Sequence, residues 1–349
     1  MEIIKDVDFT GRVVDRYAIV ALIRSGAQGS VYRGRDDVLR REVAIKVRPH
    51  DGLRTEARAL SSLNHPHVAG VYDFVTEDYR DFMVMEFIAG ATLAEVLAGG
   101  PLPPGEVVRL GLQLARGLAA IHSAHIAHCD IKPANLKITS AGMLKIVDFG
   151  VARRLPPGAL VDSVPTTMTT VVGTFPYMAP EVLVGERPDH RSDIFSAGAV
   201  LYEMATGCRA FPQRTLPALV HAIEQGEVVA PSRMNPVVPR ALDRVVLTAL
   251  EKATERRYQT ATELVRALDA LAPSRRRRAA RAGRRETSVA SVHHAVTSAV
   301  AAGLLLMDGK EQRRNDDHLR SGAPLPQPRP KSWWIYQLTQ SPPEAARRC

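Results

Sequence analysis

The sequence predicts an α+β chain of two unequal lobes, the first rich in strands and the second helical. Three observations carry that expectation. Short apolar runs, broken by a glycine-bearing turn, fill most of the first 90 residues. From residue 92 the apolar positions recur mainly at helical spacing. At residue 272 the composition changes abruptly, which marks the end of the folded region.

The elements run in order along the chain. "YAIVALIRSGAQGSVYRGRD" and "EVAIKVR" read as strands, "LRTEARALSSLN" as a helix, and "FMVMEFI" as a buried strand. Helical patterns then run through "TLAEVLAG", "GEVVRLGLQLARGLAAIHSAHI", "RSDIFSAGAVLYEMATG", "LPALVHAIEQG", "ALDRVVLTALEKA" and "TATELVRALDAL". No internal repeat is visible.

Charge separates the folded region from the C-terminal tail. The chain of 349 residues has a net charge of +9. Residues 1–272 hold 31 Lys+Arg against 31 Asp+Glu, and residues 273–349 hold 15 against 6. The basic character therefore belongs to the tail. Three cysteines, Cys129, Cys208 and Cys349, are too few and too scattered for a disulfide framework or a zinc site. The first 17 residues show no basic start followed by an apolar run, so no signal peptide is expected and a cytoplasmic setting is.

Five segments carry chemistry. They are "SGAQGSV", "VAIK", "HCD" with Asn135 five residues beyond Asp130, "DFG" at Asp148, and "APE" ending at Glu181. Their order and separations resemble those of the protein kinase family over residues 17–271, with a strand-rich N-lobe to about residue 88 and a helical C-lobe from 89. No single segment is specific. The ordered set is.

The resemblance implies a two-lobed protein kinase-like fold, Mg-ATP as phosphoryl donor and protein substrates. Gly26 and Gly29 would let the backbone approach the ATP phosphates. Ile23, Val31 and Ala44 would close over the adenine, with Met85 as gatekeeper and Glu86 to Ile88 as the hinge. Lys46 would reach the α- and β-phosphates, held by an ion pair to Glu56 from the following helix. Only ten residues separate the two, which implies a trimmed helix start with the pair retained.

In the catalytic loop Asp130 is the implied base toward a substrate hydroxyl, and Lys132 would neutralise charge on the transferred group. Asn135 and Asp148 would ligate Mg²⁺ through hard oxygen donors. Lys132 two residues after the base, and "GTFPYMAPE" with Gly173 and Thr174, resemble serine/threonine kinases, bacterial-type ones among them. Glu181 would pair with Arg257, and Asp193 would brace the catalytic loop, both as scaffold.

Three positions depart from the family pattern. Arg24 stands two residues before Gly26, where a further glycine is usual, free to extend into solvent or to reach the phosphates. Lys137 replaces an apolar residue under the adenine; its stem would cover the ring while the amine snorkels outward. Cys129 replaces the arginine that grips a phosphothreonine on the activation segment. Activity independent of phosphorylation at Thr166, Thr167, Thr169 or Thr170 is therefore expected. A nucleotide-binding pseudokinase or scaffold is the competing class, and a small-molecule phosphotransferase of related fold a third.

Beyond the catalytic region lie a basic linker, 272–286, and a tail, 287–349, expected to be largely disordered. Arg275 to Arg285 is either a solvated linker or a contact for anionic lipid or nucleic acid. Membrane anchoring through 287–307 is disfavoured, because the longest apolar run, Ala299 to Met307, falls well short of the roughly 20 residues a span needs. "APLPQPRP" suits polyproline II, and Trp333 and Trp334 lie beyond it.

Overall fold

A computed structural model of the chain describes residues 8–26, 29–49, 53–148, 153–154 and 174–272. All of them belong to one of the two units into which the chain divides, the one that holds Met1–Ala272. The expectations for the activation-segment threonines, the basic linker and the tail fall outside the described residues.

The N-terminal part is a six-stranded antiparallel sheet with one helix. In chain order come β1 (Val13–Val14), β2 (Tyr17–Gly26), β3 (Gly29–Asp36), β4 (Arg41–Pro49), α1 (Arg54–Leu60), β5 (Val71–Glu77) and β6 (Arg80–Glu86). The sheet order is β1-β2-β3-β4-β6-β5. Alternation along β4 decides what each face does. Val43, Ile45 and Val47 point into a core with Tyr17, Ile19, Tyr32, Phe82 and Val84. Ala44 and Lys46 lie opposite Met85 and Met83 of β6 on the other face. There Met83 and Met85 pack with Leu53 and Ala57 from the start and middle of α1. This helix is only seven residues long, shorter than "LRTEARALSSLN" suggests, and ends before Ser61.

Beyond β6 the chain turns helical. The elements are β7 (Ala91–Thr92), α2 (Leu93–Leu97), α3 (Pro104–Ser123), β8 (Ile126–Ala127), β9 (Leu136–Ile138), β10 (Leu144–Ile146), β11 (Arg153–Arg154), α4 (Pro180–Leu183), α5 (His190–Thr206), α6 (Leu216–Gln225), α7 (Pro231–Met234), α8 (Arg240–Ala249) and α9 (Ala261–Asp269). Helix α5 forms the axis of this part: from Ser192 to Thr206 all but one of its residues are buried, as a helix packed on every side must be. Asp189 caps its N-terminus in a capping box with Ser192. Gly207 ends it at φ +75°, in the left-handed region that glycine adopts without strain. Leu110, Leu114 and Leu118 of α3 and Leu242 and Val246 of α8 pack with Phe195 and Leu201 in one core. Each such side chain contributes roughly 1.5–3 kcal/mol by leaving water.

Between the helices and the sheet lie ladders of two or three residues. Strands β10, β9 and β7 form one, and β8 pairs with β11. They bring the loop after β8 and the segment after β10 to the cleft facing β4. The two-lobed arrangement expected from the sequence is the one observed. Among the described residues no helix is long and apolar enough to cross a membrane.

Candidate active site

The sheet supplies two cations to the cleft. In the antiparallel register Arg24 of β2 lies opposite Val31 of β3, and Val31 opposite Lys46 of β4. Directly paired residues project from the same face, so the three form one cross-strand row. Lys46 is 1% exposed. Its Nζ donates to Glu56 Oε1 at 2.9 Å and lies 3.2 Å from Asp148 Oδ1. The short helix α1 therefore delivers Glu56 to the lysine, as the trimmed helix start requires. Burial pushes the lysine ammonium down and the Glu56 carboxyl up, and each is partly restored by the other's charge.

The walls around this row are apolar or backbone. Val31, Met85 and Ile88 are buried, and Ile23 is exposed. Gly29 has φ +102°, and a Cβ there would run into the Val47 carbonyl oxygen, so the position accepts only glycine. A Cβ at Gly26 would meet nothing within 4 Å of the protein itself. Its glycine leaves open room above the cleft, which suits a ligand lying close to the backbone. Lys137 sets its amine 5.8 Å from the centroid of the Phe87 ring, next to Glu86 of the expected hinge.

Opposite the sheet, the catalytic loop is held from below. Asp193, at the start of α5, accepts the backbone N–H groups of His128 and Cys129 at 2.8 Å each, and its Oδ2 lies 2.8 Å from His122 Nε2. Burial would raise this carboxyl; the His122 contact, the charges of His122 and His128 and the backbone donor outweigh it and hold the carboxyl below the usual range. Cys129 sits at φ +61°, a left-handed turn that carries the chain on to Asp130.

Asp130 is 2% exposed and fully engaged. Lys132 Nζ donates to its two carboxylate oxygens at 2.8 and 2.9 Å, and Asn135 Nδ2 donates to Oδ2 at 2.8 Å. Lys132 also donates to Thr174 Oγ1 at 2.7 Å, and Thr174 Oγ1 lies 3.3 Å from Asp130 Oδ1. The carboxylate is thus fixed in orientation beside an ammonium. A hydroxyl entering at this point would meet an acceptor and a cation together.

Asn135 and Asp148 meet the requirements of a magnesium pair. Asn135 is fully buried and Asp148 is 6% exposed. Asn135 Oδ1 is a buried oxygen with no hydrogen-bond donor, and Asp148 Oδ1, also buried, faces the Lys46 ammonium at 3.2 Å. A buried oxygen without a donor, as at Asn135, is costly unless a ligand completes it, and hard oxygen donors such as these two are what Mg²⁺ takes. Asp148 adopts φ +63°, an uncommon conformation for a non-glycine residue. Arg24 sets its guanidinium against Asp148 Oδ2 while its side chain stays partly exposed.

The end of the activation segment is anchored independently. Arg257 makes a bidentate pair with Glu181, at 2.8 and 2.7 Å, and Ser192 Oγ donates to Glu181 at 2.7 Å. The arginine also donates to the carbonyls of Glu251 and Lys252 at 2.7 and 2.9 Å. Burial raises the Glu181 carboxyl, but Arg257 and Ser192 outweigh it and the net shift is downward.

Of the residues singled out for nucleotide, metal and catalysis, Lys46, Glu56 and Asp148 contact one another, and Asp130, Lys132 and Asn135 form a second connected set. Three supporting residues escaped the sequence reading. Lys145 of β10 donates to both carboxylate oxygens of Glu86 at 2.7 Å, tying the hinge to the ladder beneath it. His122 holds Asp193. His128, fully buried and pushed down by that burial, places its Nδ1 3.2 Å from the Asp130 backbone N–H. The histidines of "HSAHIAHCD" were the only available signal. Phe149, Gly150 and Gly173 lie outside the described residues.

Comparison with known proteins agrees with this geometry. The protein kinase domain profile matches residues 17–283, more than half of the chain. The chain is 35% identical over 263 residues to the serine/threonine-protein kinase PrkC of Bacillus subtilis, covering 72% of this chain and 40% of that protein. It is also 35% identical over 265 residues to the serine/threonine-protein kinase PknB of Mycobacterium leprae, covering 72% of this chain and 42% of that one. With the serine/threonine-protein kinase pkn2 of Myxococcus xanthus the identity is 37% over 272 residues, 73% of this chain and 32% of the relative. The chain thus spans well under half the length of these relatives. From the cleft, the two-lobed fold and the matching profile together, the chain belongs to the protein kinase family.

Proposed function

We propose that the chain transfers the γ-phosphoryl group of ATP to serine and threonine hydroxyls of protein substrates. One set of contacts supports the reading: Lys46 pairs with both Glu56 and Asp148, Lys132 pairs with Asp130, and Asn135 donates to Asp130 while its Oδ1 is left without a donor. Lys46 binds the α- and β-phosphates, with Glu56 fixing its amine. Asp130 orients the substrate hydroxyl and takes its proton as the oxygen bonds to phosphorus and ADP departs. Lys132 neutralises the charge that develops on the transferred group. Asn135 and Asp148 would hold Mg²⁺, which would supply neutralisation of the charge on the transferring group. Kinase names among the relatives support the serine/threonine class. Thr174 beside Lys132 and Asp130 is the position of this chain that fits it.

Cys129 extends the reading to control. The loop is held through the Cys129 backbone, and a thiol cannot grip a phosphate. Transfer therefore proceeds without phosphorylation of the activation segment. A dependence on ATP sets the reaction in the cytoplasm. The Arg275–Arg285 run is a candidate contact for anionic lipid or nucleic acid, charged for either.

A second reading, a nucleotide-binding scaffold without transfer, draws on Arg24 occupying Asp148. Incubation with Mg-ATP and a generic basic substrate protein, followed by phosphoamino-acid analysis, separates the two. Phosphoserine or phosphothreonine formed by the wild type and reduced about 10²–10⁴-fold in Asp130→Asn supports transfer. Nucleotide binding with no phosphoamino acid supports the scaffold.

A further inference from the structure

The metal aspartate is clamped between two cations. Asp148 Oδ1 lies 3.2 Å from Lys46 Nζ, and Oδ2 takes the guanidinium of Arg24. The lysine belongs to the nucleotide site already described. The arginine does not, and it stands where the glycine-rich loop would leave no side chain at all. Its presence is a property of this chain.

Strand geometry explains how Arg24 reaches so far. The β2–β3 register slips between Leu22 and Arg24, and such an irregularity re-aims the side chain that follows it. Arg24 then shares the face of Val31 and Lys46, with one strand between the two cations. Burial pushes its guanidinium down, the charge of Asp130 works against that, and its own charge is felt at Lys46. The side chain remains 44% exposed, so its stem is not packed into a core although its guanidinium reaches the buried Asp148 carboxylate.

A cation tethered over the phosphate position and bound to a metal ligand has two possible anionic partners. We propose that Arg24 is a ligand of the nucleotide polyphosphate that exchanges partners with Mg²⁺. Without the metal it neutralises Asp148 and bridges it to the entering phosphates. With the metal bound, Asp148 is released and the guanidinium pairs with phosphate oxygens, which it matches in a bidentate manner. The inference rests on the nucleotide reading of the cleft. It adds that this chain binds nucleoside di- and triphosphates appreciably without a divalent cation.

The test is nucleotide affinity, not turnover. ADP and ATP binding to the full chain is measured by calorimetry in Mg²⁺ and in EDTA, for the wild type and for Arg24→Gly, Arg24→Gln and Arg24→Lys. The ratio of the two dissociation constants is the readout. The ratio is expected to rise about tenfold in the Gly and Gln variants, the equivalent of one ion pair near 1.4 kcal/mol, chiefly through weaker binding in EDTA. The Lys variant, which keeps the charge, should stay near the wild type. Equal ratios in wild type and Arg24→Gly, or a Gln variant that behaves as wild type, overturn the exchange while leaving the nucleotide site intact. A wild type that binds no nucleotide even with Mg²⁺ overturns the nucleotide reading itself. Arg24→Lys and thermal melting of each variant without ligand separate loss of the charge from loss of the fold.

Discussion

Asp193 holds Cys129 by the backbone: the Cys129 N–H donates to Asp193 Oδ1 at 2.8 Å, while the left-handed φ of +61° places Asp130 next in line. The thiol has no part in that bond. The backbone hold on the loop before Asp130 therefore does not depend on the side-chain type at residue 129.

Cys129→Ala should keep the fold and phosphotransfer within about twofold of wild type. Asp193→Asn should not, because a neutral amide cannot serve the donors that the buried carboxylate accepts. Its expected cost is about 2–4 kcal/mol, read from the denaturant midpoint at constant slope. If Asp193→Asn were as stable as wild type, the carboxylate would not be the brace described.

Glu181 and Arg257 give a prediction with a sign in pH. The Glu181 carboxyl titrates below its ordinary value of 4.5 in the folded chain. Between the two values the unfolded chain binds the proton and the folded chain does not, so lowering the pH favours unfolding. The pair's contribution is complete above pH 4.5 and is lost as pH falls through the folded value. Glu181→Gln should flatten that acid limb of the stability profile. Glu181→Ala leaves a buried guanidinium unpaired and should cost about 3–5 kcal/mol at neutral pH. An unchanged acid limb in Glu181→Gln would assign the acid sensitivity to other groups.

Replacing Thr166, Thr167, Thr169 and Thr170 together with alanine should leave substrate phosphorylation within about threefold of wild type. A charge-assisted contact to an arginine is worth several-fold more than that, and Cys129 cannot make one. Phosphorylation rates toward a generic protein substrate measure it. A collapse in the quadruple variant would restore activation-segment control by a route other than residue 129.

The site was legible in the sequence wherever a chemical role confines residue type within one short segment. Asp130, Lys132 and Asn135 sit six residues from end to end, so their spacing alone carries the pattern. Lys46 and Glu56 needed one step more, a helix start trimmed enough to meet the strand, and α1 begins only two residues before Glu56. Contacts made by folding were not legible. His122 meets Asp193 across 71 residues, and Lys145 meets Glu86 across 59. Ladders of two or three residues such as β7 and β8 are too short to show a period. Arg24 marks the boundary between the two cases. Its identity announced a departure, but its direction depended on a register slip between β2 and β3 that no apolar pattern records.

The most direct test of phosphotransfer is the intact mass of the purified chain and a generic basic substrate protein after incubation with Mg-ATP, with Asp148→Asn treated in parallel. The account predicts mass gains in whole phosphoryl groups on enzyme or substrate, absent from the variant. Unchanged masses in the wild type, with nucleotide still bound, would contradict transfer and leave a nucleotide-binding scaffold.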